Sequence, residues 1–387
     1  MAQFKHSWAL LNTVKKCRNT ANLPHWLFHP GWLHPLVMTN YNSISERRAA
    51  TLRRVFPDGV PSLWCPLLTH YDREGAIDMA RIAAHLTHLA VHVKGFLIPG
   101  STGDAWELSD AEFRQLLNIT FDQVEKLNLS LLIGVLKPGA KDAAAAIHEI
   151  TDLIKSRTGQ TDPALALAQA RVCGFTVCPP RGKDVSQSEI ERALASILES
   201  GLPTTVYQLP QVTQNEISPE VASNLATRFA NFIMFKDSSG TDRVAQSSKG
   251  LAGVFTVRGA EGDYANWLQP AGGPYNGFLL STANCFAREL NLFIGDISAQ
   301  RFGDAKKMSE RLSTVIAEAF RLANPLPDGN PFANANKAMD HFFAYGPQAA
   351  SVPPPRLHAG GHLPVEMIRA TGEILSRYDL MPDKGYL

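Results

Sequence analysis

From residue 60 onward, short apolar runs alternate with longer stretches in which apolar positions recur at helical spacing. The runs predict strands over 62–67, 95–99, 131–135, 174–178, 204–207, 232–236, 254–257 and 277–280. Between them, Ile77, Ile82, Leu86, Leu89 and Val93 share one helical face, as do Phe113, Leu116, Leu117, Phe121 and Val124. The stretches 143–154 and 190–198 follow the same pattern. Ser109 lies three residues before Glu112 and Ser186 three before Glu189, the spacing of a capping box. Ser218-Pro219 places a proline at a first helical position.

Strand–helix alternation implies parallel pairing with right-handed crossovers. Eight such units in about 250 residues predict an α/β fold, a (β/α)₈ TIM barrel over 60–298. An open doubly wound sheet is the alternative, weakened because no GxGxxG follows the first strand. The segment 157–171 reads as a surface insertion. Residues 299–387 read as a C-terminal helical appendage, broken by the turn-rich 324–334 and by Pro353-Pro354-Pro355. Residues 1–59 read as an N-terminal extension, either a targeting segment or disordered.

Composition narrows the class of protein. With 45% apolar and 19% charged residues and a net charge of +1, the chain has material for a large core and no general affinity for nucleic acid. No run of apolar residues is long enough for a membrane span, so no membrane partner is expected. Five cysteines show neither a CxxC pair nor zinc-ligand spacing, which fits packed thiols in a reducing, cytoplasmic setting. Residues 1–45 hold no acidic residue but carry Lys5, Lys15, Lys16 and Arg18, with Trp26, Phe28 and Trp32. Three readings fit that stretch: an organellar transit peptide, a poorly packed extension, or a start codon placed upstream of Met38.

In such barrels the chemistry sits at the C-terminal ends of the strands. Those ends carry Gly100-Ser101-Thr102-Gly103, Tyr207, Lys236, Glu261 just past the seventh strand, and Ser281 just past the eighth. A lysine held against apolar walls loses solvation of its charged form, so its amine becomes nucleophilic and suits Schiff-base formation with a carbonyl. The Gly-Ser-Thr-Gly turn offers hydroxyls and backbone N–H groups to a carboxylate. A tyrosine phenol can relay protons between substrate and solvent. Together these groups suit a 2-oxo acid, and an iminium formed there is an electron sink beside which a C–C bond can be made or broken.

GSTGD (100–104), YQLP (207–210) and FKDSSG (235–240), in this order and on these strands, resemble the dihydrodipicolinate synthase/N-acetylneuraminate lyase family of class I, pyruvate-dependent aldolases. The likeness covers roughly 60–380 and implies a TIM barrel with a C-terminal helical extension. It implies that Lys236 is the Schiff-base lysine, that Tyr207 is the proton-relay tyrosine, and that Ser101 and Thr102 bind the pyruvate carboxylate, with Thr102 also in the relay. It further implies Phe278 as an apolar residue near the pyruvyl group. Ser238, Glu261 and Ser281 fall where sugar-acid lyases of the family bind substrate hydroxyls. A homotetramer is the family's common assembly. Neither a cofactor nor a metal is called for.

The departures bear on substrate. Val212 stands where dihydrodipicolinate synthases place an arginine for the aldehyde substrate's carboxylate. Pro179-Pro180-Arg181-Gly182 replaces the usual aromatic pair, one ring of which enters a neighbouring subunit's site. The expected activity is therefore cleavage or formation of a hydroxylated 2-oxo acid with pyruvate as one partner. The alternatives are dihydrodipicolinate synthase of lysine biosynthesis and a non-catalytic barrel that binds a keto acid. His358-Ala-Gly-Gly-His362 reads as a loop, and His85, His88 and His92 as the polar outer face of a helix, so no metal site is expected.

Overall fold

Eight short strands close on themselves in chain order: β1 (Leu63–Pro66), β2 (Gly95–Ile98), β3 (Ser130–Gly134), β4 (Val172–Val177), β5 (Thr204–Gln208), β6 (Phe232–Asp237), β7 (Phe255–Arg258) and β8 (Gly277–Leu279). Every neighbouring pair is parallel, and β8 closes on β1 through Leu63↔Phe278 and Trp64↔Leu279. The fold is the TIM barrel that the alternation predicts. This computed structural model describes residues 35–387, with side chains from residue 43. The basic and aromatic residues of the N-terminal stretch, and Cys17, lie outside the described residues.

Both faces of these strands are apolar, which is why they read as unbroken runs and not as alternation. Trp64, Leu97, Leu132, Met234, Val257 and Leu279 fill the barrel interior, whereas Leu63, Phe96, Phe175, Val206, Phe235 and Phe278 face the surrounding helices. A Cβ at Gly95 would lie 2.4 Å from the Trp64 ring, so only glycine leaves room for the indole inside the barrel.

The helices are α1 (Pro35–Val55), α2 (Met79–Leu89), α3 (Asp110–Lys126), α4 (Ala140–Thr158), α5 (Pro163–Gln169), α6 (Gln187–Leu198), α7 (Pro210–Thr213), α8 (Pro219–Arg228), α9 (Ala283–Ser298), α10 (Phe302–Ala323), α11 (Pro331–Tyr345) and α12 (Val365–Arg377). The reciprocal capping boxes at Ser109/Glu112 and Ser186/Glu189 form as their spacing predicts, and Ser218 caps α8 with Pro219 at its first position. The segment 157–171, read as a surface insertion, is helical. It ends α4 and forms α5, which buries Ala166 and Leu167 against the core. No α-helix follows β6 or β7. Serines and glycines keep 238–254 in turns, and Pro270, Gly272 and Gly273 limit 259–276 to two single 3₁₀ turns, Tyr264–Asn266 and Gln269–Ala271.

Two further placements follow from packing. Arg48 of α1, within the stretch read as an extension, is buried among main-chain carbonyls. It donates to the carbonyl oxygens of Phe232 (2.7 Å) and Phe229 (2.8 Å), and also to those of Ala226 and Ala252. His85 does not lie on an outer face. It is fully buried and shares a hydrogen bond of 3.0 Å with His70, because the C-terminal helices cover that side of α2. Asp340 of α11 lies 3.2 Å from His85, accepts from Arg81 at 2.9 Å and accepts from Tyr386 at 2.9 Å. Burial, followed by the Arg81 charge, holds the His70 imidazole well below its ordinary pKa.

Candidate active site

Side chains that alternate along β6 put Met234 inside the barrel, Phe235 outside it and Lys236 inside again, at the open end. Register then pairs Lys236 with Tyr207 on β5 and Val257 on β7. Its ammonium nitrogen lies 3.8 Å from the centroid of the Tyr207 ring. Lys236 is only 3% exposed, and burial pulls its pKa down to about 7, against a smaller upward pull from Cys178, Glu261 and Cys65. A substantial fraction of the amine is therefore neutral near pH 7. Gly259 makes the space: a Cβ there would lie 2.9 Å from Lys236 Cε and 2.2 Å from Ser238 Oγ.

Tyr207 is buried, and desolvation pushes its phenol above the ordinary range while hydrogen bonds with the Ser238 and Ser101 hydroxyls pull the other way. Those bonds place Tyr207 between the loop after β6 and the turn after β2. That turn is a single 3₁₀ turn, Ser101–Gly103, closed by Asp104 in the left-handed region at φ 59°. A Cβ on Gly103 would lie 2.3 Å from the Leu67 carbonyl oxygen, so glycine is required there. Trp106 donates its indole N–H to Ser101 Oγ at 2.6 Å, which fixes that hydroxyl. Asp104 accepts from Tyr71 at 3.0 Å and pairs with Lys337 of α11 at 2.6 Å, both partners buried.

Lys236, Tyr207, Ser101, Thr102, Ser238, Glu261 and Ser281 all line one cavity of about 240 Å³. Phe278 does not. It faces outward against Tyr264 and Phe293, with ring centroids 5.9 and 6.2 Å away. Period-two alternation gives the inward place to Leu279, one residue on. Glu261 lines the cavity, but its oxygens are occupied: Oε1 accepts from Ser281 Oγ (2.7 Å) and the Thr282 N–H (3.0 Å), and Oε2 from Thr282 Oγ1 (2.7 Å) and the Tyr264 hydroxyl (2.8 Å). Four donors fill the acceptor sites of a carboxylate, so Glu261 braces the loop after β8.

Among the cavity residues that the sequence reading missed are Phe320 near the end of α10 and Asn330 and Phe332 at the start of α11. Asn330-Pro331 is a cap-plus-proline signal that places a helix start, but nothing local says that this start reaches the barrel mouth. Below the site, Asp237 accepts from the Ser239 N–H at 2.9 Å, and Arg258 forms a two-armed pair with Asp242 at 3.0 and 3.1 Å. These bonds anchor the loops on either side of Lys236. Among the described residues, one group has the composition of a metal set: His70, His85 and Asp340. Its two imidazoles bond to each other, and Arg81 neutralises its carboxylate, so the group is internally paired. No helix of the described residues is long and apolar enough to cross a membrane.

The sequence profile described as the dihydrodipicolinate synthetase family matches residues 61–328. A 4-hydroxy-tetrahydrodipicolinate synthase of Erythrobacter litoralis is 24% identical over 277 residues, which is 70% of this chain and 86% of the relative. The fold matches that of a prophage protein of the dihydrodipicolinic acid synthase family from E. coli K12, solved in complex with pyruvate. The TM-score is 0.66 at 19% identity, covering 83% of this chain and 99% of that one. It also matches a dihydrodipicolinate synthase from Thermotoga maritima with a TM-score of 0.65 at 15% identity, covering 83% and 99% respectively.

Proposed function

The chain belongs to the dihydrodipicolinate synthetase family of pyruvate-dependent carbon–carbon lyases, and we propose that Lys236 is its Schiff-base nucleophile and Tyr207 its proton relay. The neutral amine attacks the C2 carbonyl of a 2-oxo acid, and loss of water leaves an iminium on Nζ. The hydroxyls of Ser101 and Thr102 hold the C1 carboxylate. In cleavage, the C4 hydroxyl gives up its proton, the C3–C4 bond breaks, and its electron pair enters the iminium to form an enamine as the aldehyde departs. Protonation at C3 and hydrolysis then release pyruvate. Burial disfavours a free phenolate, so Tyr207 takes the C4 proton only as it passes its own to Ser101 or Ser238.

The observation that carries this reading is a buried, near-neutral lysine in one cavity with a tyrosine and a two-hydroxyl turn. Borohydride reduction in the presence of pyruvate should leave a stable adduct on the peptide that contains Lys236, and Lys236→Arg should abolish it. An unmodified lysine under those conditions would favour a non-catalytic keto-acid-binding barrel. A second reading, the reaction named for the 24%-identical relative, rests on that name. Val212 in the cavity wall gives the carboxylate of such a second substrate no cation. Assembly as a homotetramer belongs to this proposal as well.

A further inference from the structure

The cavity divides chemically into two halves. The strand ends supply the reacting groups, while Leu209, Val212, Phe320 and Phe332 supply an apolar wall from the loop after β5 and from the C-terminal helices. The rings of Phe320 and Phe332 pack edge to face with centroids 5.0 Å apart. Among the described residues, Lys236 is the only cationic side chain in the lining, and on the proposed reading it is spent on the 2-oxo acid.

The polar side chains near that wall are engaged by the protein. Asn330 caps α11, accepting from the Phe332 N–H at 2.9 Å and the Ala333 N–H at 3.4 Å, and its amide donates to the Ser101 carbonyl at 3.4 Å. Gln211 donates to the Ser238 carbonyl at 3.0 Å. Ser239 Oγ accepts from the Thr241 and Asp242 N–H groups at 3.2 and 3.3 Å. Glu261 has no acceptor site left. A carboxylate or polyhydroxylated chain placed here would give up its water for few partners and no free cation, whereas an apolar body would gain from leaving water.

We propose that the aldehyde half of the substrate is uncharged and apolar, an aryl or alkyl aldehyde seated between Val212 and the Phe320–Phe332 pair. This rests on the Schiff-base reading of Lys236. In the synthetic direction the enamine C3 of Lys236-bound pyruvate forms the new C–C bond to the aldehyde carbon. The aldehyde oxygen takes a proton through Tyr207, and one water hydrolyses the iminium to release a 4-hydroxy-2-oxo acid. No cofactor enters that balance.

The experiment has two arms on the full chain. Borohydride trapping with pyruvate alone tests Lys236. Condensation rates for pyruvate with benzaldehyde, isobutyraldehyde, glyceraldehyde and aspartate semialdehyde test the wall. The expected result is an adduct together with kcat/KM for the apolar aldehydes at least about tenfold above that for the other two. Phe332→Ser should raise KM for benzaldehyde about tenfold, and an unchanged KM would count against the wall. An adduct with equal or reversed preference, or with no aldehyde consumed, overturns this inference and leaves the role of Lys236 standing. Absence of the adduct overturns the reading beneath it.

Discussion

Lys236 is the proposed nucleophile, and its burial works against the charged form of its amine. With a folded-state pKa of about 7 against an ordinary value near 10.4, the unfolded chain binds more protons throughout the interval between. Stability linked to this residue is therefore fully present above the unfolded value and is lost as pH falls toward 7. Denaturant midpoints between pH 7 and 10 should rise with pH in the native chain, and Lys236→Met should flatten that slope. Adduct formation follows the same titration, its rate rising through pH 7 and levelling above it. A rate insensitive to pH between 6 and 8 would contradict the depressed amine. The lysine, the tyrosine and the serine-threonine turn were legible because each ends an apolar run that fold class alone turns inward. Phe278 was placed one residue off, since a strand of three residues leaves the inward phase undecided without its neighbours. The saturation of Glu261 was not legible, because its four donors come from three residues, Tyr264, Ser281 and Thr282, that only the closed barrel brings together.

Between elements, the buried pair Asp104–Lys337 ties the turn after β2 to α11. Asp104→Ala would strand a buried ammonium and cost about 3–5 kcal/mol in chemical unfolding, whereas Asp104→Ala with Lys337→Met should recover most of that loss. A single variant as stable as the native chain would show that solvent reaches the pair. Strands and capped helices were legible in outline because their signals are local. The missing helices after β6 and β7 had visible causes in serine, glycine and proline. The burial of His85 had none, because its partners come from His70 and from Asp340, 255 residues further on.

For the molecule as a whole, Arg48 collects four carbonyls belonging to α8, to β6 and to the segments that follow them. Arg48→Met removes a buried charged donor from those carbonyls and should lower unfolding free energy by roughly 3 kcal/mol, while adduct formation at Lys236 at low temperature stays intact. Loss of the adduct in a folded Arg48 variant would mean that α1 acts on the site itself. The other face of the barrel carries a different arrangement. Lys236, Tyr207 and Ser101 sit on strands or the turns directly after them, but Phe320, Asn330 and Phe332 come from the helices beyond the barrel. On the proposed reading, the reacting groups and the aromatic part of the wall therefore come from separate stretches of chain. Selection can rewrite residues 320–332 without disturbing the lysine, so descendants of this chain could exchange one aldehyde for another while keeping their chemistry unchanged.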